Sequence, residues 1–350
     1  MWTTHPLLEF VRRAMRRTQL RVQELATRAW QIAPGETSVT GRAFFLPGQL
    51  ERVTAWAFAD EHPQRQMAGG CNVVHASTSA YLVRDAILVD GRLFKGTACD
   101  YLHRRTSNAP IVRIENEVAC GALYCTPGGI KYFGQWLMDD CKTYLLARNE
   151  GIPISTAHPV WPHTAAYEQC LGMEPSRHHC AIIRQAILFD HFGQNENKKE
   201  RARQLRLKLL SHAKHNSHPG VFILRGATGQ RRVLRNEAEI AEALRRSRGF
   251  RIVDPANMSV MDILAACSGA STVVGVEGSG LMHGIALLPP GGRVLALQPP
   301  NRFVGLYKDL TDRDGQYFGF VVGTNVEQDF AVDVDEVERT LDLFPADSAS

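Results

Sequence analysis

A chain of 350 residues that is 44% hydrophobic and 22% charged has the usage of an ordinary globular protein of about two domains, which excludes fibrous, collagen-like and wholly disordered readings. No run approaches the roughly 20 apolar residues of a membrane helix, and Met1 to Phe10 lacks the apolar core of a secretory signal, so the expected location is the cytoplasm. The net charge of +4 sums unlike blocks: six Arg against two Glu over 1–30, fifteen Lys/Arg against four Glu over 198–251, and eleven Asp/Glu against two Arg over 309–350.

From His5 to about Gln31, Leu8, Val11, Met15, Val22 and Leu25 recur at roughly helical spacing. Arg12, Arg13, Arg16, Arg17 and Arg21 surround them, and the pattern predicts a basic amphipathic helix within residues 1–31. Two readings of it stand: attachment to an anionic membrane surface, and a charged helix packed on the body by its apolar stripe. Residues 71–126 are β-rich, broken at Asp90-Gly91 and at Asn108-Ala-Pro110, and predict sheet and hairpins. A helix is predicted from about Phe133 to Asn149, ended by Gly151 and Pro153, and the Pro- and His-rich stretch 151–180 reads as a connection between two halves. The second half alternates. Helices are predicted near 196–215, 237–248, 259–267 and 281–288, and strands at 220–225, 250–253, 271–276 and 293–298. This order builds a parallel sheet with helices on both faces, and such sheets bind ligands at the carboxyl ends of their strands.

The strand Thr272–Val276 runs into Glu277-Gly278-Ser279-Gly280, and a helix begins at Leu281. Glycines there let the backbone approach a ligand, and free N–H groups at a helix start attract a phosphate; a tight turn with no ligand is the other reading. A dinucleotide site would further demand an acid at the end of the next strand, which instead reads Leu297-Gln298-Pro299. Upstream, Arg225 ends a strand, and a Gly-containing loop returns Arg231, Arg232 and Arg235 to the same edge. Guanidinium forks match phosphate oxygens two bonds at a time. Arg225 therefore reads as a ligand group, whereas Arg231 and Arg235 read as a solvated face. Asn236 and Glu237 read as a helix cap with a first-turn acid.

Neither Asp-x-Asp spelling, Asp312-Arg-Asp314 or Asp333-Val-Asp335, precedes a sheet in this reading; both fall in the acidic tail as solvated charge rather than as cation ligands. His178-His179-Cys180, with His158 and His163, lacks the i, i+4 pair of a helical zinc site. The eight cysteines form no Cys-x-x-Cys pair and read as mostly buried thiols.

The ordered run Arg225…Arg232-x-Leu-x-Asn236-Glu237, Gly249-Phe250-x-x-Val253 and Val273-Val-Gly-x-Glu-Gly-Ser-Gly-Leu281, then an apolar strand after Pro-Gly-Gly, resembles the C-terminal half of glycosyltransferase family 61. Tyr132-Phe-Gly-Gln-Trp-Leu-Met-Asp139 resembles that family's aromatic-Gly-His-Trp-Leu segment, and Ala80–Asp90 its preceding strands, so that residues 80–300 are covered. The resemblance implies an α/β protein of GT-B type, with two Rossmann-like domains facing across a cleft. It also implies inverting sugar transfer from a nucleotide sugar; the expected acceptor is a glycan or glycolipid, and with arginines in place of an Asp-x-Asp cation site no metal or other cofactor is expected. Arg225 and Arg232 carry over as phosphate contacts, residues 277–281 (Glu277, Gly278, Ser279, Gly280, Leu281) as nucleotide contacts, and Asn236, Glu237 and Gln135 as further substrate contacts. Two departures from the family's pattern are Gln135 before Trp-Leu and Glu277-Gly-Ser-Gly in place of His-Gly-Ala-Gly. A neutral Gln cannot take the acceptor's proton.

Asp139 lies four residues after Gln135, on the same face of a regular helix, and is the nominated base; with Asp140 its alternative is a pair of surface acids. Glu277 and His283 are further candidates, Glu277 also as a contact to a ribose or sugar hydroxyl. The expected division is a helix over 1–31, an acceptor-side domain over 32–165, a donor domain over 166–308 and an acidic segment over 309–350. Two rivals remain: a nucleic-acid-binding protein using the basic block, which lacks interleaved aromatics, and a non-catalytic scaffold of polysaccharide assembly.

Overall fold

The computed structural model describes residues 1–15, 20–57, 67–214, 216–226 and 231–345. The loop residues 227–230, the arginines at 16 and 17, His215 and the last five residues of the acidic tail lie outside the described residues. The chain forms two compact units with a mixed α/β content: residues 1–35 with 76–201, and residues 36–75 with 202–350.

In the first unit, helix α1 (His5–Ala14) precedes strand β1 (Arg28–Ala33). Strands β2 (Thr78–Val89), β3 (Arg92–Lys95), β4 (Ala98–Tyr101) and β5 (Asn116–Leu123) follow, with the hairpins expected from Asp90-Gly91. A short helix α2 (Pro127–Lys131) leads to a helical stretch composed of Phe133–Gln135, a π turn at Trp136–Asp140, and α3 (Cys141–Glu150). Then come β6 (Ile152–Thr156), α4 (Thr164–Leu171), β7 (Ser176–His178), β8 (Cys180–Asp190) and helix α5 (Glu196–Leu210), within which the division between the units falls after Arg201. The eight-stranded sheet has the order β7-β6-β5-β8-β2-β3-β4, with β1 paired to β2. The pairs from β7 to β8 are parallel and those from β8 to β4 antiparallel, so this unit is not a plain Rossmann sheet.

Three expectations are corrected here. The N-terminal helix stops at Ala14, and residues 28–33 are a strand, because Trp30 and its neighbours complete an edge on β2. The stretch 151–180 is no connection: it supplies β6, α4 and β7. Residues 166–201 belong to the first unit because β8 inserts between β5 and β2.

In the second unit, strands β9 (Val221–Ile223), β10 (Arg251–Val253), β11 (Thr272–Val276), β12 (Arg293–Gln298) and β13 (Tyr317–Val322) form one parallel sheet in the order β10-β9-β11-β12-β13. Their connections carry helices α6 (Glu237–Arg248), α7 (Val260–Cys267), α8 (Met282–Ile285) and α9 (Leu306–Asp314), and α10 (Val334–Leu341) closes the unit. Every residue of β11 is buried, as expected of a central strand covered on both faces. Gly249, at φ +69, ends α6 in the left-handed conformation, and Ser259 caps α7 by accepting from the Asp262 amide at 3.2 Å. The acidic segment therefore does not lie beyond the sheet, since β13 and α10 are built into it. Residues 36–75 join this unit because the Phe44 amide donates to Phe318 O at 2.9 Å and Gln49 Oε1 accepts from the Val322 amide at 2.5 Å. Among the described residues no helix is long and apolar enough to cross a membrane.

Candidate active site

The chain leaves β9 toward β10 on one side and returns to β11 on the other, so the strand order reverses between β9 and β11. At such a switch point the connections diverge and open a crevice at the carboxyl ends, where sheets of this type bind ligands. Arg225 follows β9 there, and Glu277-Gly278 follow β11.

Three guanidinium groups converge on the Glu277 turn. The buried Glu277 carboxylate accepts from Arg232 Nη1 and from Arg302 Nη1, each at 2.7 Å, and its backbone oxygen accepts from Arg225 Nη1 at 3.3 Å. Burial pulls the Arg225 and Arg232 pKa values down, with Glu277 opposing it, yet a guanidinium keeps its proton in any protein setting. Arg232 Nε is buried and has no hydrogen-bond partner among the described residues. Gly278, at φ +148, leaves space for Arg225: a Cβ there would collide with Arg225 Nη1. The same glycine is clamped by the buried Tyr307 hydroxyl, which accepts from its amide at 2.6 Å and donates to its carbonyl at 3.0 Å.

The expected contacts sort differently around this core. Glu237 accepts from the Arg225 and Gly226 amides at 2.7 and 2.8 Å, which fixes the backbone that carries Arg225. Asn236 does not cap α6; its side-chain amide bridges the Val332 backbone, donating to the carbonyl at 2.8 Å and accepting from the amide at 3.3 Å. Ser279 and Gly280 are partly exposed, whereas Leu281 and His283 are buried. Arg231 and Arg235 are not simply solvated: both bind the buried Asp329 carboxylate, at 3.0 and 2.9 Å. The Asp-x-Asp spellings are likewise engaged, Asp312 by Lys308, Asp314 by Arg313, and Asp333 by the Asp335 amide as the cap of α10. Sequence reasoning missed Arg302 and Tyr307. The available signal was position, since Arg302 lies four residues past the end of β12, at the same sheet edge.

The candidate base sits in the first unit. Asp139 pairs with Lys198 Nζ at 2.8 Å. Burial raises its pKa, but the charges of Lys198 and Lys142 outweigh that and hold it at about 2. His191, deeply buried beside Lys198, is lowered to about 3 by burial and stays neutral. The π turn changes which residues share a face. A Cβ on Gly128 would strike the Gln135 amide and one on Gly129 the Asp140 carboxylate, so Gln135 and Asp140 both face α2 while Asp139 turns to α5. Asp140 accepts from the Thr126 amide and hydroxyl at 3.1 and 2.7 Å, and burial pushes its pKa well above the carboxylate range. The pair is therefore no exposed surface feature. Six of the cysteines are buried and all are free thiols.

The second unit is an α/β unit whose parallel sheet carries three arginines around the turn that follows β11, at the carboxyl edge of its strands. Residues 97–295 match the family model described as Glycosyltransferase 61, and the chain belongs to that family. None of the curated proteins matches it. Membership supports glycosyl transfer as its activity, with a sugar donor and a glycan acceptor in general terms.

Proposed function

We propose that the protein is an inverting, metal-independent glycosyltransferase of GT-B type that moves a sugar from a nucleotide sugar to a hydroxyl of a polysaccharide or glycoconjugate. The observation that supports this most is the convergence of Arg225, Arg232 and Arg302 on the turn after β11. In direct displacement the acceptor oxygen attacks the anomeric carbon, the bond to the diphosphate breaks, and the departing group takes the electron pair. The growing negative charge then faces guanidinium donors already in position, which act where charge develops in the transition state. Glu277 holds Arg232 and Arg302 in place before the donor arrives. Of the three candidate bases Asp139 is the most reachable, with its side chain 23% exposed against 3% for Glu277. His283 is also buried. Asp139 takes the acceptor's proton in this reading, once the acceptor displaces the Lys198 ammonium.

Nucleotide release from a panel of nucleotide sugars tests the proposal, with Arg232→Ala and Arg302→Ala expected to lower donor affinity by about tenfold or more each. Unchanged binding and turnover in both variants would remove the site assignment. A donor-binding protein without turnover is the second reading, favoured by the tight Asp139–Lys198 pair; nucleotide-sugar affinity without nucleotide release against a broad acceptor set would select it.

A further inference from the structure

Helix α1 is amphipathic, and it is docked with its polar side against the protein. At 100° per residue, His5, Glu9 and Arg12 share one side, and Leu7, Phe10, Val11 and Ala14 the other. Glu9 accepts from the Tyr101 hydroxyl at 2.6 Å and lies 3.7 Å from Arg92 Nε, and the His5 ring lies 5.4 Å from that of Phe94. The apolar side chains are left exposed: on the opposite side Phe10 is 70% exposed, Val11 42% and Leu7 40%, beside it Leu8 is 51% exposed, and Trp2 just before the helix and Met15 just after it are 67% and 62% exposed. This reverses the expectation of a helix packed on the body by its apolar stripe. Isolated exposed apolar residues are ordinary, but six large ones exposed within residues 2–15 (Trp2, Leu7, Leu8, Phe10, Val11 and Met15) call for a cover.

Charge decides which cover fits. Arg12, Arg13, Arg16, Arg17 and Arg21 follow the apolar stripe in sequence with no acid among them. A second copy of this chain laid symmetrically on the face would bring the same arginine-rich segment against itself. An anionic lipid surface instead accepts both features, taking the aromatic and aliphatic side chains among its acyl chains and attracting the net positive charge of this segment. We propose that α1, with Trp2, is an interfacial anchor that lays this chain on anionic membranes, its apolar face inserted and its polar face held by Tyr101 and Arg92.

The test is sedimentation of the full chain with vesicles of phosphatidylcholine, alone and mixed with phosphatidylglycerol. The wild type should bind the mixed vesicles and much less the neutral ones, with binding weakened by added salt. Phe10→Asp should lower partition into the mixed vesicles by about tenfold or more, since it removes one inserted aromatic and adds a repelled charge. Val74→Asp, at a still more exposed apolar position elsewhere, should leave it unchanged. Because Phe10 is exposed, the thermal midpoint of Phe10→Asp should match the wild type, which separates lost binding from lost folding. No binding by the wild type, equal binding by Phe10→Asp, or no preference for anionic vesicles would each overturn the proposal. So would a dimer in vesicle-free solution that Phe10→Asp dissociates, which would assign the face to a second copy.

Discussion

At Gly278 a missing side chain determines where a guanidinium can sit. Its φ of +148 is a conformation that L side chains rarely adopt, and the space a Cβ would fill is taken by Arg225 Nη1. Gly278→Ala should therefore displace Arg225 and weaken nucleoside diphosphate binding by about tenfold or more, read by calorimetric titration; equal affinity would detach Arg225 from the ligand. Glu277 makes the complementary case. Its buried carboxylate is the counter-charge that two guanidinium groups share, so Glu277→Gln keeps the shape and leaves positive charge uncompensated. Breaking a buried ion pair from one side costs roughly 3–5 kcal/mol. An anion that fills the site restores part of that balance, so a nucleoside diphosphate should raise the thermal midpoint more in Glu277→Gln than in the wild type. A variant that melts like the wild type and ignores the nucleotide would show that the arginines do not depend on this carboxylate.

Among the elements, the π turn Trp136–Asp140 decides what Asp139 can do. It swings Asp139 away from Gln135 and onto Lys198, whose ammonium keeps the carboxyl at about 2 against the desolvation that opposes it. The folded pKa lies below the ordinary value of 3.8, so the ion pair stabilises fully above about pH 3.8 and loses its effect as pH falls through about 2. Lys198→Met removes the largest lowering influence. If Asp139 is the base, the acid limb of the pH–rate profile should then move upward in Lys198→Met, and Asp139→Asn should abolish turnover while sparing donor binding; an acid limb that does not move would assign the proton to another group. The second unit's strands and helices were largely legible in the sequence, because each is a short buried apolar run or a stretch with its own stop, such as Gly249 after α6. The π turn was not, since one extra residue in a helix leaves no periodic trace across five positions. Nor was the membership of β8 in the first sheet: a strand that inserts between two others far away in sequence looks locally like the start of the next domain. At the site, Arg225, Arg232 and the Gly-rich turn were visible through strand ends and glycines, whereas Arg302 follows a Pro-Pro turn that carries no motif.

Over the molecule as a whole, the linear charge blocks mislead, because the second unit folds its acidic segment onto its basic one. Arg248 binds Glu338 and Asp342, Arg231 and Arg235 bind Asp329, and Arg52 binds Glu336 at 2.5 Å. Part of the basic block is thus matched within the second unit, the strand-edge Arg232 by Glu277 among it. These outer pairs are partly exposed, and such pairs contribute about 0–1 kcal/mol each. Packing outweighs them. Val337, Leu341 and Phe344 of the same segment are buried in one core with Leu244, Phe250 and Leu295, and large-to-small changes at such positions cost roughly 2–5 kcal/mol each, against a total of about 5–15 kcal/mol for a whole domain. The acidic segment is therefore a structural part of the second unit rather than a tail. Two outcomes follow for thermal unfolding: Glu338→Gln with Asp342→Asn should lower the midpoint only slightly, while ending the chain after Ala331 should abolish the cooperative transition of this unit and its nucleotide binding together. A truncated chain that still melts cooperatively and binds nucleotide would show that β13 and the arginine site hold without α10. A large loss in the charge-neutralised variant would mean that ion pairing, not the core, fastens the segment.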